Sequence, residues 1–185
     1  MNHRNNRRSE ATKNKIKQTL IDMLHTQDIN KITVQALCEK AAINRSTFYN
    51  HYESPLAVLS NIEYEFVSKL ENYLAGEICL DCNRENLTNM ISKILEFIQA
   101  NKNICFLLTV PSLRHIFKQN IFREIFNTSL VQHPVFDKYK GDMLPYAQAF
   151  ILYGCGHAID FWLNEDCKES PQEIASLLAN FITCL

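Results

Sequence analysis

Residues 32–52 read Ile32-Thr33-Val34-Gln35-Ala36-Leu37-Cys38-Glu39-Lys40-Ala41-Ala42-Ile43-Asn44-Arg45-Ser46-Thr47-Phe48-Tyr49-Asn50-His51-Tyr52. Thr33 is a residue type that caps a helix start, and a short helix over Val34–Lys40 would turn Val34, Leu37 and Cys38 inward. Ala41-Ala42-Ile43-Asn44 is a tight connection, and Asn44 is placed to cap a further helix from Arg45 to about His51. Two short helices across such a turn make a helix-turn-helix pattern. In the second of them Phe48 and Tyr52 lie four apart and face the core with Leu37. Arg45, Ser46, Tyr49 and Asn50 are left on the opposite face, with Thr47 and His51 at its edges. That face is polar and rich in hydrogen-bond donors. It suits a major groove, where Arg reads guanine, Asn reads adenine, and Thr, Tyr and His hold phosphate oxygens.

The charge pattern points the same way. Residues 1–52 hold nine Lys and Arg against four acids, whereas residues 53–185 hold ten against sixteen. A basic module that meets a polyanion, joined to an acidic body, fits this split. The 185 residues suffice for one or two domains, and 46% hydrophobic with 21% charged residues excludes wholesale disorder. Only four glycines occur, and no glycine-rich phosphate loop is among them.

Outward from residues 32–52, the expectation is all-helical. Residues 1–8 read as a basic arm carrying Arg4, Arg7 and Arg8. Ser9 is placed to cap a first helix striped by Ile16, Leu20, Met23 and Leu24. Ser54-Pro55 opens a long helix to about residue 77. Further helices are expected at Leu87 to Ile98, at Ile104 to Val110 before Pro111, and from about Ser112 to Val131. Two more follow Gly141-Asp142, from Leu144 to Leu163 and after the capping box Ser170-Pro171-Gln172-Glu173. This makes about nine helices and no strand. Residues 1–52 form the helix-turn-helix domain and residues 53–185 a helical effector-binding and dimerisation domain.

Thr33, Leu37, Ala41, Ile43, Thr47, Phe48, Tyr49 and His51, with Tyr52 after them, resemble the DNA-binding domain of the TetR family of bacterial transcriptional regulators. The resemblance implies base readers at Gln35, Arg45, Ser46 and Tyr49, and phosphate contacts at Thr33, Thr47, Tyr49 and His51. Asn50 joins them from its place on the polar face. Two positions depart from the family pattern. Ala42 replaces a turn glycine, so residue 42 is expected without a positive φ or in a slightly different turn. Pro55 replaces a phosphate-binding lysine, a loss that the arm arginines would offset. The family layout further implies a homodimer on a palindromic operator, with two recognition helices about 34 Å apart. It implies a repressor released by a small-molecule effector, the alternative being a body that binds a protein partner. Residues 153–173 also resemble a subgroup with members that regulate dihydroxyacetone kinase genes.

Within the body, Gly154 and Ala158 permit close helix approach. With Phe161, Trp162, Leu178 and Phe181 they are the expected dimer contacts. Phe106, Phe117, Phe122, Phe126, Phe150, Tyr153 and His157 are candidates for an apolar ligand pocket, although aromatics at helical spacing also serve as ordinary core and His157 as an interface residue. Cys79 and Cys82 form a C-x-x-C with no second ligand pair, so no metal and no cofactor is expected. No catalytic constellation occurs. The sequence shows neither a signal peptide nor a bilayer-length apolar run, and a reduced cytoplasmic setting is expected.

Overall fold

A computed structural model describes residues 3–74, 83–110, 113, 136, 139 and 141–184. Among them are eight α-helices: α1 (His3–Leu24), α2 (Val34–Lys40), α3 (Arg45–Tyr49), α4 (Pro55–Leu74), α5 (Arg84–Ala100), α6 (Lys102–Thr109), α7 (Leu144–Asn164) and α8 (Pro171–Cys184). No strand occurs among the described residues. The helix expected from about Ser112 to Val131 lies outside them, as do Phe117, Phe122, Phe126, Cys79 and Cys82.

Four of the eight helix starts follow from their capping residues. Thr33 Oγ1 accepts from the Ala36 amide at 3.1 Å and Ser54 Oγ from Ala57 at 3.2 Å. Asn83 Oδ1 accepts from Asn86 at 2.8 Å. At α8 the capping box closes both ways, with Ser170 N donating to Glu173 Oε2 at 2.9 Å and Glu173 N to Ser170 Oγ at 3.3 Å. These hydrogen bonds to the Glu173 carboxylate hold its pKa below the usual range. Two expectations fail. Asn44 has the extended backbone of a cap but makes no capping bond. Helix α1 begins at His3, six residues ahead of Ser9, and takes in the basic segment read as an arm. No Gly or Pro interrupts residues 3–9, and Arg is a good helix former.

The chain divides into two compact units, Met1–Phe66 and Val67–Leu185, and α4 runs from the first into the second. The reason is packing. The first half of α4 buries Val58, Leu59, Ile62 and Phe66 within the first unit, whose other buried residues include Ile16, Leu20, Leu37 and Phe48. Lys17 of α1 donates to both Glu65 carboxylate oxygens, at 2.6 and 2.9 Å, and Tyr52 Oη donates to Asn61 Oδ1 at 2.8 Å. In the second unit α5 packs along α8 and α6 against α7. Among the described residues no helix is long and apolar enough to cross a membrane.

The turn between α2 and α3 corrects the expectation for residue 42. The Ile43 amide donates to the Cys38 carbonyl at 3.0 Å and the Ala42 amide to Glu39 at 3.1 Å. This is a Schellman ending, which requires a left-handed residue between the last helical residue and the next strand of chain. Ala42 supplies it at φ +47°. A left-handed residue with a Cβ costs about 1–2 kcal/mol, partly offset because alanine has less freedom to lose than glycine. Ala42→Gly is therefore expected to stabilise the protein by about 0.5–1 kcal/mol. A rise in the urea midpoint at unchanged slope checks this, and an unchanged or lowered midpoint refutes it.

Candidate nucleic-acid interface

Five residues are too few to hold a helix by themselves, because nucleation costs more than one turn returns. Helix α3 is held by Phe48, which is 0% exposed, and by Tyr52 just beyond its end. The two rings meet at 6.2 Å between centroids. Burial, with the Glu65 and Glu10 charges nearby, pushes the Tyr52 pKa up to about 12 and keeps its hydroxyl a neutral donor to Asn61.

With Phe48 turned inward, the helical repeat carries Arg45, Ser46, Tyr49 and Asn50 outward, and all four are exposed. Tyr49 is 58% exposed and leans edge-on against Phe48, with centroids 5.7 Å apart and planes at 83°. Thr47 and His51 are half-buried at the margins of this face, as their expected edge positions require. Thr33 and Gln35 are exposed on the first turn of α2. The eight residues singled out as nucleic-acid contacts thus share the solvent-facing side of α2 and α3.

One feature of this face escaped the sequence reading. Arg45 Nη2 donates to Gln35 Oε1 at 2.5 Å, and Gln35 Nε2 donates to Glu39 Oε1 at 2.9 Å. Gln35 and Glu39 stand four apart on one helix, a spacing at which Gln and an acid regularly pair, so half of this chain was readable. The link to Arg45 crosses the turn and was not.

In the second unit the candidates separate. Trp162 and Leu178, expected as dimer contacts, lie in the unit's own core at 1% and 3% exposure. Trp162 Nε1 donates to the Glu169 carbonyl at 2.9 Å and so ties α7 to the turn before α8. An indole placed at the end of α7 fills the space under that turn, so it is unavailable to a second subunit. Phe161 and Phe181 are exposed at 70% and 61%. Ala158 is half-buried, and Gly154 is exposed with open space where a Cβ would stand. Phe150, Tyr153 and His157 line an open groove of about 400 Å³ with Ala149 and Gly154. His157 Nδ1 donates to the Tyr153 carbonyl at 2.9 Å. Phe106 is half-buried on α6. The Cys105 thiol is pushed up to about 12 by burial, a proton-bound state unsuited to a nucleophile. Among the described residues no cluster of three His, Cys, Asp or Glu is placed to hold a metal.

A family model described as the C-terminal region of TetR-type transcriptional regulators matches residues 85–184, more than half of the chain. The chain belongs to the TetR family. That family is one of transcriptional regulators and not of enzymes. The TetR chain is 23% identical over 177 residues to the uncharacterized HTH-type transcriptional regulator YxbF of Bacillus subtilis, an alignment covering 90% of this chain and 43% of YxbF. It therefore spans less than half the length of that relative. Among solved structures, a TetR transcriptional regulator from Streptococcus agalactiae superposes with a TM-score of 0.71 at 22% identity, covering 96% of this chain and 97% of the other. The regulator FadR of Bacillus subtilis, solved with stearoyl-CoA, superposes with a TM-score of 0.66 at 14% identity, covering 91% and 96%. At these identities the likeness shows the fold.

Thr33 occupies both the cap of α2 and the expected DNA-facing surface. Thr33→Ala is expected to cost about 1 kcal/mol through the lost cap, and Thr33→Asp, which also caps, to cost much less. Urea unfolding of the two variants checks this. Equal losses would show that the cap contributes nothing.

Proposed function

We propose that this TetR-family chain is a sequence-specific DNA-binding repressor that acts as a homodimer in the cytoplasm and is released by a small-molecule effector. The observation that carries the DNA-binding part is the phase of α3. Burial of Phe48 forces Arg45, Ser46, Tyr49 and Asn50 onto one exposed, donor-rich face. The side chains there are those that read base edges and hold phosphates, and residues 1–52 carry the excess of basic groups. In this reading α3 enters the major groove, with Arg45, Ser46 and Gln35 towards bases, Tyr49 and Asn50 beside them, and Thr33, Thr47 and His51 at phosphates.

Binding by such a surface weakens with salt, with about 0.9 added to the slope of log affinity against log salt for each phosphate neutralised. Arg45→Ala is expected to relax preference at one base position and to cost about 1–3 kcal/mol on the preferred duplex. Tyr49→Phe, if its hydroxyl meets phosphate, should weaken all duplexes alike. Titrations of selected duplexes at several salt concentrations check both. A flat salt response, or no binding to any selected duplex, defeats the DNA-binding reading.

Support for the homodimer comes from α7 and α8. Tyr146, Phe150, Tyr153, His157 and Phe161 recur every three or four residues along one side of α7, and all are exposed. Phe181 and Leu177 add exposed apolar surface on α8. A contiguous apolar strip of this kind is where a second subunit is expected to sit, and a two-fold axis would pair it with itself. Gly154 lies on the same strip. Because a Cβ there meets nothing within 4 Å among the described residues, Gly154→Leu should leave each subunit folded and block only the approach of the partner. Light scattering is expected to show a dimer for the wild type and monomers for the variant, with most operator affinity lost. A variant that stays dimeric with full affinity would remove Gly154 from the interface.

FadR was solved with stearoyl-CoA, so long-chain acyl-CoA is the first effector class to titrate against the protein–DNA complex. Release of the DNA at a concentration that leaves dimerisation intact would support an acyl thioester. Unchanged binding across chain lengths would turn attention to the alternative, a protein partner.

A further inference from the structure

Between Ile32 and Tyr52 the sequence contains one acidic residue, Glu39. It sits on the exposed side of α2, beside the proposed DNA contacts. A carboxylate there opposes phosphate and, taken alone, lowers affinity. Its place in the structure gives it another task. Glu39 Oε1 accepts from Gln35 Nε2 at 2.9 Å, and Gln35 Oε1 accepts from Arg45 Nη2 at 2.5 Å.

The order of charges fixes the amide between them. Turned by half a rotation, the Gln35 amide would aim its NH2 at a guanidinium and its oxygen at a carboxylate, two repulsive contacts in place of two hydrogen bonds. Arg45, which only donates, demands the oxygen end of Gln35, and Glu39 holds the opposite end so that the amide stays in that place. We propose that Glu39 and Gln35 are positioning residues for Arg45, and that Glu39, without touching a base, determines specificity at the base pair Arg45 reads. The proposal rests on the reading of α3 as the groove helix.

Arginine has one of the largest stores of rotamer freedom among side chains, most of which is surrendered when the guanidinium fork engages a base. A fork already held from α2 surrenders less on binding and arrives at one angle. Gln35 takes only one of the five N–H donors, which leaves enough for a paired contact to guanine N7 and O6. An angle imposed in advance favours one base over the others. A freely swinging arginine would settle on a phosphate nearly as well.

The test uses the full chain and a library of duplexes, with Arg45→Ala locating the base pair in question. Preference there is expected to be roughly five- to 150-fold in the wild type, the range of a good paired contact. Glu39→Ala should abolish most of it while leaving preference at positions that neither Arg45 nor Gln35 reads, and the melting temperature, unchanged. Glu39→Gln keeps an oxygen acceptor and removes the charge, so it should retain the preference and bind every duplex more tightly at low salt. If both variants tighten binding uniformly and keep the wild-type profile, Glu39 is only a charge and the proposal is overturned, with the groove reading intact. If Glu39→Ala also loses preference at positions that neither Arg45 nor Gln35 reads, its role is structural and the proposal again fails. A wild type that selects no duplex overturns the groove reading and this proposal together.

Discussion

The surface proposed to meet DNA depends on the burial of a single ring, Phe48. Helix α3 is five residues long and has no side-chain cap at its start. Its conformation is therefore borrowed from the core. Fully burying a phenylalanine contributes on the order of 2–3 kcal/mol, more than a one-turn helix gains from its own hydrogen bonds. Once Phe48 is anchored, the 3.6-residue repeat leaves no choice for its neighbours. Arg45, Ser46 and Tyr49 must face away, and Tyr52 must return to the core, where Asn61 holds its hydroxyl. The polar face is a consequence of the apolar contact behind it.

The turn that delivers α3 is the second constraint. The Schellman ending of α2 directs the chain out of the helix within two residues, and it does so through Ala42 at a backbone angle that favours glycine. The same ending closes α7, where Asp166 at φ +56° is followed by hydrogen bonds from Cys167 to Trp162 and from Asp166 to Leu163. There it brings the chain round to Ser170 and the start of α8. Both turns place strained backbone where two helices must be set at a defined angle. Neither uses glycine, in a chain that has only four.

Helix α7 divides its labour by face. Trp162, Ile159 and Ile151 belong to the core of the second unit, and Tyr146, Phe150, Tyr153 and Phe161 are left in solvent. Such exposure of aromatic rings is costly unless another surface covers them. Half of the helix is thus apolar surface that its own unit leaves open. Trp162, expected as a dimer contact, belongs to the buried side, where a hydrogen bond to the Glu169 carbonyl keeps the indole inside.

The sequence by itself determined the local grammar of the chain. Thr33, Ser54, Asn83 and Ser170 hold the donors of their own next turn, and the spacing of Leu37, Phe48 and Tyr52 sets which side of each short helix is buried. These are interactions over three or four residues, and their partners are fixed by backbone geometry before the chain has folded. Other features needed the tertiary structure. Ala42 takes its positive φ because α3 must dock where Phe48 fits, and no property of alanine announces that. Helix α1 reaches back to His3 past a serine that could have stopped it. The first unit claims half of α4 because Val58, Leu59 and Ile62 are buried within it and Lys17 of α1 reaches Glu65, 48 residues further along the chain. The Arg45–Gln35 bond likewise joins two helices across a turn. Contacts distant in sequence depend on where every intervening residue goes, and only the packed core decides that.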